Sequence, residues 1–66
     1  MRLTVNGEEC AFDTLRDVAE LVACLGLDAR KVAVELNLAI LPRSAYGSTA
    51  LAEGDRIEIV HFIGGG

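Results

Sequence analysis

The dipeptide Asn6-Gly7 does more than any other feature to restrict what this chain can become. It lies between Arg2-Leu3-Thr4-Val5, which alternates polar and apolar residues, and Glu8-Glu9-Cys10-Ala11-Phe12, where Cys10 and Phe12 share a face. Alternation with period two is the mark of a half-buried strand. Asn and Gly both tolerate the positive φ of a type I′ turn, whose twist matches the strands it joins. The chain is therefore predicted to open with a β-hairpin.

The period changes after Asp13. Leu15, Val18, Val22 and Leu25 recur at helical spacing, Leu21 widens the stripe, and Arg16, Asp17 and Glu20 fall on the opposite side. Thr14, three residues ahead of Asp17, resembles a capping box, and Gly26 stands where a glycine closes a helix in the left-handed conformation. A helix of about three turns is expected. Next comes the valine-rich "KVAVELN", which Asn37 ends or bends before Leu38-Ala39-Ile40-Leu41. Pro42 lacks an N–H for a ladder and should end that pairing. "RSAYGSTAL" is small, polar and turn-like, with room for one helical turn. Glu53-Gly54-Asp55 is a turn, and Arg56 to Phe62 is a last strand.

A hairpin, a helix, one or two strands and a final strand describe an α+β chain of the β-grasp, or ubiquitin-like, kind. Its mixed sheet would carry the helix on one face, with the first and last strands parallel across the long connection between them. At 66 residues the chain makes one domain, and it buries only about 60% of its unfolded surface. That leaves little room for a deep catalytic pocket. We place the domain at residues 1–62 and a flexible tail at 63–66.

Composition excludes several classes of function. Six Lys and Arg against ten Asp and Glu give a formal net charge of −4. The cations are scattered, so there is no footprint for nucleic acid and no basic membrane face. No apolar stretch approaches the length that spans a bilayer, and "MRLTVNGEEC" meets polar residues too early for a secretory signal. A cytoplasmic protein is expected. Cys10, Cys24 and the single His61 have neither redox nor zinc spacing, so the cysteines read as reduced, buried structural thiols and no metal is expected.

The last strand leads into the tail. Alternation puts Ile57 and Ile59 toward the helix and Val60 and Phe62 on the outer side, where they offer a docking patch unless "RSAYGSTAL" covers them. Gly64-Gly65-Gly66 has no packing rationale, because ordering a residue costs about 1–2 kcal/mol and glycine has no side chain with which to recover it. A thin, unbranched tail suits threading into another protein's active site. If the chain finishes at Gly66, it presents a carboxylate there. Adenylylation would give that carboxylate a leaving group that a sulfur nucleophile can replace.

These features resemble the ThiS family of bacterial sulfur carriers of thiamine biosynthesis, part of the β-grasp group that includes ubiquitin and the molybdopterin-pathway carrier MoaD. The resemblance covers essentially the whole chain. It is carried by "MRLTVNGE", "TLRDVAELVACLGL", "VAVELN", "LPRSAY" and "LAEGDRIEIVHFIGGG". It implies that an E1-like adenylyltransferase of the ThiF type uses MgATP to adenylylate Gly66. Sulfur from a cysteine desulfurase then makes a thiocarboxylate, which a thiazole synthase of the ThiG type consumes. The motif is matched at Gly65 and Gly66, with Gly64 an addition, and Val60, Phe62 and Ile63 adjoin it as docking residues. On this view the chain is a cosubstrate that binds no cofactor of its own. Alternatives are a MoaD-like carrier for another sulfur pathway, a ubiquitin-like modifier, a non-covalent interaction module and, least well supported, a cysteine enzyme.

Overall fold

The computed structural model describes residues 1–62. Expectations for Ile63, Gly64, Gly65 and Gly66, including a flexible tail, lie outside the described residues. Five strands form one sheet: β1 (Arg2–Val5), β2 (Glu8–Ala11), β3 (Val32–Leu36), β4 (Ala39–Leu41) and β5 (Arg56–His61). Their order is β2-β1-β5-β3-β4. β1 and β5 are parallel, and the other neighbouring pairs are antiparallel. The expected mixed sheet and the crossover from first to last strand are both present.

The opening hairpin turns at Asn6 and Gly7, with φ of 51° and 82°. A second hairpin joins β3 to β4 through Asn37 and Leu38, both with positive φ (50° and 73°). The sequence suggested an end or a bend at Asn37. The structure makes it a complete reversal, with Leu36 paired to Ala39.

Helix α1 (Val18–Cys24) has seven residues and is shorter than expected. Its N-cap is Asp17 rather than Thr14: the Asp17 carboxylate accepts from the Glu20 N–H at 2.9 Å. Leu15 is buried but precedes the helix. The reason is tertiary. Residues 16–18 pair with 49–51, as Val18 donates to the Thr49 carbonyl and Leu51 to that of Arg16. That pairing holds the chain extended until Asp17. At the other end Gly26 adopts φ 75°, donating to Ala23 while Leu27 donates to Val22, the Schellman arrangement.

One sheet face and the helix enclose the core. Leu3 and Val5 of β1, Val32 and Val34 of β3, and Ile57 and Ile59 of β5 meet Val18, Leu21 and Val22 of α1. Leu15, Tyr46 and Leu51 close the sides. Tyr46 belongs to a 3-10 segment (Arg43–Ser48), the helical turn for which the sequence left room.

Candidate functional site: the end of the last strand

β5 is central in the sheet, so its path is fixed from both sides. Its five pairings with β3 run from Leu36–Ile57 to Val32–His61. One residue further, Phe62 donates its N–H to the Lys31 carbonyl at 3.0 Å. The backbone is therefore held in place as far as residue 62, which marks a fixed point on the surface.

The facing of β5 is as expected. Ile57 and Ile59 are buried, Val60 is 62% exposed and Phe62 is 45% exposed. Val60 stands opposite Ala33 on the outer face, and two residues back along the strand Glu58 stands opposite Glu35. Ile40 lies beside Glu35 and is itself 80% exposed. Val60 is uncovered. Phe62 instead shares a cleft with Tyr46, so the "RSAY" stretch reaches Phe62 and leaves Val60 open. Ile63, the third proposed docking residue, lies outside the described residues.

That cleft, of about 540 Å³, was not anticipated as a unit. Val32, Leu41 and Tyr46 form its apolar lining, with Phe62 and Ala33 beside them and Arg30 and Arg43 also lining it. The "LPRSAY" stretch was its trace in the sequence, supplying Leu41, Arg43 and Tyr46 at once. The Tyr46 hydroxyl points to the Val32 carbonyl at 3.4 Å. Arg30 is committed to Asp28, at 3.0 Å between Nη2 and Oδ2 and 3.1 Å between Nε and Oδ1. Those hydrogen bonds hold the Asp28 carboxyl down to about 2. Arg43 makes no ion pair among the described residues.

The cysteines lie elsewhere. Cys10 is half-buried on β2, whereas Cys24 is exposed at the last residue of the helix, which corrects the expectation that both are buried. Among the described residues no three His, Cys, Asp or Glu side chains come together as a metal site. No helix there is long and apolar enough to cross a membrane.

A sequence model of the ThiS family matches residues 2–66. The chain belongs to the ThiS family. It is 38% identical to the sulfur carrier protein ThiS of Bacillus subtilis, over 97% of this chain and 98% of that one. The crystal structure of ThiS from Geobacter metallireducens superposes with a TM-score of 0.85 at 40% identity, covering both chains entirely. This confirms the β-grasp fold and the family membership that the sequence implied. The chain is also 53% identical, over its whole length, to part of a thiazole synthase from Paramagnetospirillum magneticum. A thiazole synthase of Magnetococcus marinus contains a similar stretch at 44% identity. The chain spans about a fifth of the length of each of these two relatives.

Proposed function

We propose that this ThiS family member is a sulfur carrier of thiamine biosynthesis that holds its sulfur as a thiocarboxylate on Gly66. The observation that carries this reading is the family match, which runs through residue 66 and so includes the terminal glycines on a β-grasp platform. The Bacillus relative, a sulfur carrier by name, is matched along nearly all of its length.

In the chemistry this entails, an E1-like adenylyltransferase joins the Gly66 carboxylate to the α-phosphorus of MgATP and releases pyrophosphate. A thiol reductant frees sulfide from the persulfide of a cysteine desulfurase, a disulfide being left behind, and that sulfide then attacks the acyl carbon. AMP leaves and the thiocarboxylate remains. The carrier is a cosubstrate working in the cytoplasm, and ATP and Mg belong to the activating enzyme. Its contribution is presentation: β5, held on both sides, fixes the point of departure, Val60, Phe62 and Ile63 lie against the enzyme, and Gly64, Gly65 and Gly66 are narrow enough to enter its active site. Thiazole synthase is the natural recipient of the sulfur, since two synthases contain a segment similar to this whole chain.

The test is intact mass after incubation with the activating enzyme, MgATP and a sulfur source. Exchange of one oxygen for sulfur, localised to Gly66 by fragmentation, is expected. An unchanged mass, with an adenylate equally absent, would overturn the proposal.

A further inference from the structure

The cleft beside Phe62 combines an apolar lining with an unequal pair of cations. Val32 and Tyr46 are buried in it, and Leu41 is partly buried. Arg30 is already neutralised by Asp28. Arg43 has neither an ion pair nor a side-chain hydrogen bond among the described residues. An uncompensated guanidinium beside an apolar cleft is unusual on a chain with a net charge of −4. Its planar fork suits a carboxylate, which it can hold through two parallel N–H donors.

We propose that this cleft docks a segment of thiazole synthase, in which an apolar side chain enters between Tyr46 and Phe62 while a neighbouring Asp or Glu pairs with Arg43. The inference rests on the sulfur-carrier reading and adds to it a surface and a recognition chemistry. Position favours this occupant. Phe62 lines the cleft and is only four residues from Gly66, a reach of about 14 Å at full extension. An enzyme that takes sulfur from Gly66 must therefore bring its surface to the cleft or close beside it. Charge favours the same docking mode. The outer sheet face sets Glu35 beside Glu58, which repels a carboxylate, and leaves Arg43 to attract one. The same acidic pair disfavours packing this face against a second copy of the chain. A lone small anion would use Arg43 and leave the apolar lining unused.

The experiment measures binding of the full chain to the thiazole synthase of the same organism by calorimetry, at low and moderate salt. Sulfur loading of each variant is followed by mass in parallel. Arg43→Glu is expected to weaken binding at least tenfold. Arg43→Lys, which keeps the charge and loses the fork, should weaken it severalfold. Arg16→Glu, an equal change of charge on the helix side of the molecule, should bind as the wild type does. The proposal is overturned if the Arg43 variants bind like wild type, or if Arg16→Glu weakens binding as much as Arg43→Glu. It is overturned equally if Arg43→Glu impairs adenylylation but not synthase binding, or if millimolar phosphate alone saturates the Arg43 and Tyr46 resonances. Wild-type chain that loads sulfur but does not bind synthase defeats this inference and spares the carrier reading. Wild-type chain that neither loads nor binds defeats both.

Discussion

Ile59 donates its backbone N–H to the side-chain oxygen of Asn6, 2.7 Å away and separated from it by 53 positions in the sequence. β1 has already turned aside at this point, while β5 continues. The Asn6 backbone N–H still reaches the Ile57 carbonyl at 2.8 Å, and its side chain then supplies the next acceptor that the departed strand would have offered. Asn6 thus makes the turn and extends the ladder.

Asn6→Gly separates those two roles, because glycine keeps the positive φ and removes only the acceptor. The Ile59 N–H, partly buried, is then left without its partner, and a loss of about 1–2 kcal/mol is expected. Urea unfolding with an unchanged slope checks it. A variant as stable as wild type would mean that water replaces the bond without cost.

Leu38 should be the easiest residue to improve. It is 84% exposed and holds φ 73°, so its side chain gains little burial in a conformation that L-residues avoid. Leu38→Gly is expected to stabilise the fold by about 0.5–1 kcal/mol, relief of strain outweighing the extra freedom of the unfolded chain. The urea midpoint should rise. A fall would mean that Leu38 makes contacts its exposure does not reveal.

Leu21 is fully buried at the centre of α1. Truncation to alanine there costs about 2–5 kcal/mol. A chain of this length has a total stability of only about 3–10 kcal/mol. Leu21→Ala should therefore lose a large share of that stability and melt at a clearly lower temperature than the wild type, as judged by circular dichroism.

The Asp28 carboxyl is held to about 2, chiefly by the side-chain hydrogen bonds from Arg30 and then by the Arg30 backbone N–H, against an ordinary value of 3.8. A depressed carboxyl favours the folded state above its unfolded value. Its contribution should be complete above about pH 4 and disappear as the pH falls through about 2. NMR titration of the Asp28 carboxyl carbon reads the midpoint directly. Arg30→Gln should move that midpoint up toward the ordinary value.

What the sequence displayed and what it concealed divide along one physical line. Asn6-Gly7 and Gly26 announced their turns because residues that favour positive φ occupied positions that need it. Asn37 carried the same signal, but its partner Leu38 seldom takes that conformation, so the second hairpin read as a bend. Thr14 looked like a cap because local spacing allowed it. Asp17 took the role because residues 16–18 are bound by 49–51, a contact invisible to any window of neighbouring residues. The Arg43–Tyr46–Phe62 cleft was hidden for the same reason: two segments about 16 positions apart meet only once β3 and β5 have paired.

The parallel neighbour of β1 comes from the far end of the described chain. Until residues 56–61 are available, the molecule is two separate hairpins with nothing between them, and a hairpin alone is marginal in water. The strand that joins them also leads to residue 62. A polypeptide interrupted before Arg56 lacks the keystone of its sheet and the approach to its glycines together. Completion of the sheet thus waits for its last strand, and a copy that lacks it presents no finished surface to any partner that recognises the fold.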